Sequence, residues 1–236
     1  MDTKSQSCNL LLASLTSDAF AHIRSDLVAV DLPLRKQLET AGEQIQHVYF
    51  PNRGLASVVV QSRSLQQIEV GLIGREGMTG LGLALGAGRA RSSVYVQLAG
   101  EGWRLGAPEF AKAIQESRPL HNAMLHYAQT MMVQLSSTVL ANGRQSIERR
   151  LARWLLMAQD RIDGNSVALT HEFLGIMLGV RRPGVTAALK HLHDQGMLDN
   201  QRGCLVITSR AGLEELADGS YGMAEAEYRR LFTPSG

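Results

Sequence analysis

The stretch from Leu169 to Ile207, LTHEFLGIMLGVRRPGVTAALKHLHDQGMLDNQRGCLVI, limits the fold more than any other part of the chain. Two short segments of helical periodicity meet there at a glycine. The first spans Thr170 to Leu178, with the Thr170 hydroxyl as N-cap and Glu172 in the first turn, where the helix dipole favours an acid. Leu174, Met177 and Leu178 share one face of it. Gly179 supplies the positive φ that a sharp turn between helices needs. The second helix starts at Arg182-Pro183, because a proline is tolerated where its missing N–H would lie unpaired anyway. Val185, Ala188, Leu189 and Leu192 form its inward stripe. The outward face carries Arg182, Gly184, Thr186, Ala187 and Lys190, which are small or basic and unsuited to a core. Such a face fits the DNA major groove, with cations meeting phosphates and base edges. Arg181, just before the helix, and Thr170 and His171, at the head of the first one, belong to the same candidate interface. Met197-Leu198 and Cys204–Ile207, around Asn200-Gln201-Arg202-Gly203, read as a β-hairpin wing with Arg202 near its tip. The pattern is that of a winged helix-turn-helix.

The rest of the chain sets bounds on this reading. Its 236 residues suffice for two modest domains or one large one, and the 44% hydrophobic content can fill a core. A formal charge of +2 excludes a generally basic protein, so any nucleic-acid footprint must be local. Residues 144–210 carry ten Arg or Lys against six acids. The two cysteines, Cys8 and Cys204, lie far apart without metal-ligand spacing, which suits a reducing compartment. No apolar run reaches the ~18 residues a membrane span needs, and no leader pattern precedes the first helix. A cytoplasmic location is expected.

The front half changes period. After a helical start (Asn9 to about Leu15, then Asp18 to about Asp31), apolar residues alternate at Val48 and Phe50, at Ala56, Val58 and Val60, at Ile68, Val70 and Leu72, and at Val94, Val96 and Leu98. Trp103 and Leu105 suggest a further strand. Short strands at regular spacing predict a sandwich, barrel or roll. Between them, residues 71–93 hold seven glycines and end on Arg89, Arg91 and Ser92. This segment is either a loop crossing the end of the roll or a ligand cradle. It lacks both the Gly-x4-Gly-Lys-Ser/Thr loop and the third glycine of a dinucleotide fingerprint.

From about Pro108 to Asn142 the period is helical again. Met124, Ala128, Met131, Leu135 and Thr138 are spaced as in a coiled-coil seam and predict a homodimer, although the same stripe could rest on the chain's own β-domain. Asn142-Gly143-Arg144-Gln145 reads as a break, with Ser146 capping the next helix. Ile147, Leu151, Trp154, Leu155, Ala158 and Ile162 line that helix. Three parts follow: a sensor-like domain over 1–118, a dimerisation helix over 119–142 and a reading domain over 143–236.

This order of parts, and LTHEFLGIMLGVRR in particular, resembles the Crp/Fnr family of bacterial transcription regulators, with Thr170, Leu174, Gly175, Gly179 and Arg182 at family positions. The resemblance implies an α+β fold: an N-terminal β-roll of the cyclic-nucleotide-binding-like, double-stranded jelly-roll type, a long dimerisation helix and a C-terminal winged helix-turn-helix. It implies double-stranded DNA as partner, pseudo-palindromic operators, and a meeting with RNA polymerase if the protein activates. The departures carry information. Where the family has the later Glu and Arg of its recognition helix, this chain has Pro183 and Ala187, so it should read a different half-site through Arg182, Arg181 and the Thr186 methyl. The phosphate cassette corresponds to Gly80-Leu81-Gly82 followed by Arg91-Ser92-Ser93. Gly80, Gly82, Arg91 and Ser92 are thus candidate ligand residues, but Leu81 stands where a glutamate would accept a ribose hydroxyl. Cyclic AMP is therefore an unfavourable effector.

No cofactor is expected. The iron–sulfur branch clusters cysteines near the N-terminus, where only Cys8 lies. Haem would need His47, His121 or His126 as a lone axial ligand. His171-Glu172 begins like a zinc-protease helix, but Gly175 stands where the second histidine belongs, so an enzyme is not expected. The rival reading is a ligand-binding or protein-interaction module that has lost DNA reading, for which Pro183 and Ala187 speak.

Overall fold

The computed structural model describes residues 9–64, 66–201 and 204–233, and the side chains of residues 200 and 201 lie outside that description. Two short helices lead in, α1 (Leu10–Ser14) and α2 (Ser17–Arg24), capped by the side chains of Asn9 and Thr16. The second stops well before Asp31. Val28–Leu32 is instead strand β1, where β-branched residues sit more comfortably than in a helix, and it pairs with Gly100–Gly106 (β7).

Among the described residues seven strands build the roll: β1, β2 (Gln37–Glu39), β3 (His47–Pro51), β4 (Leu55–Gln61), β5 (Gln67–Ile73), β6 (Ser93–Leu98) and β7. They form two antiparallel sheets, ordered β1-β7-β3 and β2-β6-β4-β5. Val48, Phe50, Val94, Val96 and Leu105 point inward as their alternation requires. In β4 and β5 the alternation fails. A register shift at Val58/Val59 buries Val59 and leaves Val60 exposed, while the polar Ser57 and Glu69 are buried. The cause is a second layer, because the reading half covers the outer face of this sheet.

After α3 (Leu81–Ala84) and α4 (Ala107–Glu116), helix α5 runs from Arg118 to Arg144. Gly143 lies within its last turn rather than ending it, and the break falls at Gln145-Ser146. The expected dimer stripe is also corrected. Met124, Ala128, Met131 and Thr138 are buried within the chain, and Leu135 is half-buried. The neighbouring Gln134 explains why. Its Oε1 accepts from the Leu72 N–H (2.6 Å) and its Nε2 donates to the Leu72 carbonyl (3.2 Å), so the helix closes the open edge of strand β5. The apolar residues left outside are Leu125, Met132, Val139 and Leu140.

Helix α6 (Ile147–Gln159) buries Leu151, Trp154, Leu155 and Ala158, with Ile147 and Ile162 at its margins. Strand β8 (Ser166–Ala168) leads to α7 (His171–Leu178), α8 (Arg182–Asp194) and the hairpin β9 (Leu198–Gln201) and β10 (Cys204–Ile207), with β10 in the middle of a three-stranded sheet. Helices α9 (Arg210–Leu216) and α10 (Met223–Phe232) follow, and α10 returns to lie along α5. Leu55 and Leu72 of the roll belong to the same apolar cluster as Leu155, Leu174, Val185 and Leu192 of the reading half. The two halves are packed together, not strung on a linker.

Candidate nucleic-acid interface

The turn between α7 and α8 forms as its residue types dictate. The Thr170 hydroxyl accepts from the Phe173 N–H (3.3 Å), Gly179 takes φ +62° where an L side chain would be strained, and Pro183 occupies the first turn of α8. Gly175 lies under the crossing, where an added Cβ would meet the Val180 carbonyl at 3.1 Å. Leu174, Met177 and Leu178 lock α7 to Val185, Ala188 and Leu192 of α8.

With that face buried, α8 turns Arg182, Thr186, Ala187 and Lys190 to solvent, and Arg181 is exposed just ahead of them. The Thr186 hydroxyl donates to the Arg182 carbonyl (3.1 Å), which leaves its methyl as the outward group. Lys190 pairs with Asp194 one turn on. Gly184 is the exception among the expected contacts. Its open side faces Ile147 and Val180, so it admits α6 close to α8 instead of facing outward. Thr170 is exposed but its hydroxyl is held by the cap, and His171 is half-buried. His171, Arg181 and Arg182 line one wall of a cleft of 1270 Å³ whose opposite wall is the β4–β5 hairpin, at Gln61, Ser62, Gln67 and Ile68. Arg202 lies outside the described residues.

The four expected ligand residues are brought together. Gly80, Gly82, Arg91 and Ser92 line one cavity of 360 Å³ in the roll, with Ile45, Val58, Ile73, Met78 and Val94 around them and Met131 and Leu135 of α5 as its floor. Sequence reasoning missed the residue that matters most there. Glu39, on the three-residue strand β2, lines the cavity and its Oε1 accepts from the Gly80 N–H at 2.6 Å. Burial raises the Glu39 carboxyl above the usual range, while the Gly80 N–H pulls it back. The backbone donor at the head of α3 is thus already taken by a carboxylate of the same chain. His47, His121 and His126 do not converge on this cavity. His121 meets the Ala84 carbonyl, and His126 meets the Phe232 ring.

Residues 149–216 match the model of the Crp-like helix-turn-helix domain. A search of the curated proteins finds no match to the sequence. Solved structures with the same fold include one reported as a transcriptional regulator of the crp/fnr family from Eubacterium rectale, at 17% identity and TM-score 0.68, covering 88% of this chain and 97% of that one. FixK2 from Bradyrhizobium japonicum is similar at 18% identity and TM-score 0.70, covering 80% and 96%. A CRP-family transcriptional regulator from Thermus thermophilus is similar at 17% identity and TM-score 0.66, covering 82% and 99%. The likeness extends through roll, long helix and reading half alike.

Proposed function

Since the chain has the fold of the Crp/Fnr regulators and carries a Crp-like helix-turn-helix at residues 149–216, we propose that it is a DNA-binding transcription regulator that reads pseudo-palindromic operators as a homodimer. One observation carries the reading. Arg181, Arg182, Thr186, Ala187 and Lys190 are solvent-facing from the head of α8 to its third turn, and none of them is used by the core. Arg182 supplies the main base contact, Arg181 meets phosphate or a second base, and the Thr186 methyl packs on thymine. Pro183 and Ala187 offer no hydrogen bond to a base, so DNA shape supplies a larger share of the specificity. Those two residues do not favour a protein-interaction module, because the cations beside them stay exposed.

The test begins with selection from random duplexes at physiological salt, which should enrich a two-fold symmetric motif. Arg182→Ala should then weaken binding to that motif by roughly 5- to 150-fold, the ~1–3 kcal/mol of a good bidentate contact, and flatten its sequence preference. Non-specific binding should change little. Equal affinity of the two proteins for the selected site, measured by fluorescence anisotropy, would refute the Arg182 assignment.

The dimer forms along the exposed seam of α5, at Leu125, Met132 and Val139, and places two α8 helices one DNA turn apart, about 34 Å. An effector, where there is one, occupies the cavity above Met131 and Leu135 and acts on that same helix. With Leu81 in the cassette and Glu39 on the Gly80 N–H, an anionic nucleotide would lose a hydroxyl partner and meet a carboxyl group. Each unmet buried hydrogen bond costs ~1–3 kcal/mol. Calorimetry should accordingly detect no cyclic AMP binding in the micromolar range, and a micromolar isotherm would overturn this reading of the cavity. The walls are mostly apolar, with Glu39, Arg89 and Arg91 among them, and favour a largely apolar small molecule with few polar groups. RNA polymerase is the further partner of an activating member of this fold, and the chain acts without chemistry of its own.

A further inference from the structure

One buried carboxyl joins the roll to the reading half. Glu69, on β5, is 5% exposed. Its Oε1 accepts from the Trp154 indole N–H of α6 at 2.6 Å, and its Oε2 lies 2.5 Å from the Ser57 hydroxyl of β4. The same hydroxyl touches Oε1 of Gln97 on β6, and Gln97 Nε2 donates to the Met177 sulfur of α7 at 3.0 Å. A single chain of polar groups therefore runs from α6 through the sheet to the helix-turn-helix.

Counting protons along this chain gives its preferred state. If Glu69 is ionised, the one Ser57 hydroxyl hydrogen must serve both the carboxylate and the Gln97 carbonyl oxygen, and one acceptor goes without. If Glu69 is protonated, it donates to Ser57, Ser57 donates to Gln97, and every oxygen has a partner. None of the neighbouring arginines donates to the Glu69 carboxyl, although the Arg150 Nε is left unpaired beside the same small cavity. Arg153 donates to the carbonyls of Ser220 and Gln134, Arg161 is engaged by Glu76, and Arg150 donates to Asn142. Tyr95, also on this side of the sheet, is itself raised by burial and by the charges of Glu69 and of Glu172 on α7. Beside Glu69, Arg150, Arg153, Trp154 and Met177 lies a cavity of only 20 Å³, too small to hydrate an ion with more than one water.

We propose that Glu69 is a proton-operated latch between the two halves: with its carboxyl protonated the reading half stays docked on the roll, and loss of that proton releases it. The contacts it would release are those of α7 with the sheet, where Phe173 meets Tyr95 (6.2 Å) and Arg35 (5.7 Å), and Ile68 fills the space beside Gly179. Burial drives the Glu69 carboxyl up to about 7, against the pull of Ser57, Trp154, Arg153 and Arg161. Docking raises the pKa above that of an exposed glutamate, so docking takes up a proton. Its advantage is complete below the ordinary glutamate range, declines as pH rises toward about 7, and is spent above that. Over that interval the ratio of released to docked molecules should rise about tenfold per pH unit.

The latch is tested without DNA, so its failure leaves the operator reading untouched. In a Trp103→Phe background Trp154 is the sole tryptophan, and spin labels at residues 63 and 215 of a cysteine-free variant report the separation of the halves. Between about pH 5.5 and 8.5, a range that brackets the shifted carboxyl, the Trp154 emission and the label distance should change together. Glu69→Gln keeps the donor and acceptor pattern of the neutral acid and should hold the docked distance at every pH. Trp154→Phe removes a donor that favours the ion, so the distance transition should move to higher pH, which provides a second check should Glu69→Gln fold poorly. An emission change without a distance change would mean that Glu69 titrates in place, and the latch would be rejected. So would an unaltered transition in Glu69→Gln, or no transition in the parent protein.

Discussion

Met132→Glu is expected to turn a dimer that grips operator DNA into a monomer that does not. Met132 is 55% exposed on α5, midway between Leu125 and Val139 at seven-residue steps, the period of a coiled-coil seam. Across a two-fold axis each residue of the seam meets its own copy or a near neighbour, so one substitution places two carboxylates at one interface. Those charges would have to leave water without cations to receive them. The fold itself should be indifferent, because an exposed side chain away from special features changes stability by about ±0.5 kcal/mol. The effect on DNA is large, since losing simultaneous engagement of two half-sites forfeits roughly 10²- to 10⁴-fold in avidity. Light scattering of the eluted protein should give the monomer mass, and affinity for a full site should fall to that for a half-site. A dimeric Met132→Glu protein with parental affinity would place the interface elsewhere. Met131→Glu, one residue away but buried against the roll, should fail to fold and so marks the difference between the two stripes.

The second large effect concerns Arg161, just beyond the end of α6. Its guanidinium is buried, with Nε donating to Glu76 at 2.7 Å, Nη1 donating to the Met157 carbonyl at 2.7 Å, and Glu225 at 3.8 Å. Its stem fills the space over Gly74, where an added Cβ would lie 2.7 Å away. Burial alone would lower the Arg161 pKa, but Glu76 and Glu225 together raise it above the usual arginine value. Arg161→Ala leaves two half-buried carboxylates without their cation and a void where the stem lay. Breaking a buried pair in this way costs about 3–5 kcal/mol. Urea denaturation should show that loss as a lower midpoint, with the slope unchanged if only stability has altered. Adding Glu76→Gln should recover part of it, because one orphaned charge is removed. A midpoint within error of the parent would mean that water reaches this site freely.

Much of this architecture was legible because it is locally encoded. The Thr170 cap, the positive φ of Gly179 and the Pro183 start are written in residues that act within a few positions of themselves, and all three formed as read. The roll was legible wherever one face of a strand is wet. It was not in β4 and β5, because both faces are covered, and Ser57 and Glu69 sit where alternation puts a solvent-facing residue. The dimer stripe failed for a different reason. Helix α5 carries two apolar stripes offset by one residue, and periodicity alone cannot say which of them faces the chain's own core. Gln134 decides it by pairing with Leu72, a contact between residues 62 positions apart. Gly184 misled because a glycine on a helix can mean either an outward groove or a close neighbour. Glu39 gave no signal at all, since its role depends on Gly80, 41 residues away. Residues whose meaning lies in a distant partner are the ones a single sequence hides.

The return of α10 to α5 has a consequence of a mechanical kind. The reading half is fastened to the long helix at Gln145-Ser146, where α5 ends, and again along α10, where Phe232 stacks on Tyr228 and abuts His126. A body pinned at one point can swing in any direction, whereas a body pinned at two turns only about the line between them. Were its contacts with the roll released, the reading half would be left with something close to a single path of travel, α8 sweeping an arc instead of wandering through a cone. In the proposed homodimer, two such arcs set by one two-fold axis would keep the paired helices in matched phase, so that one angle would describe the spacing presented to the double helix.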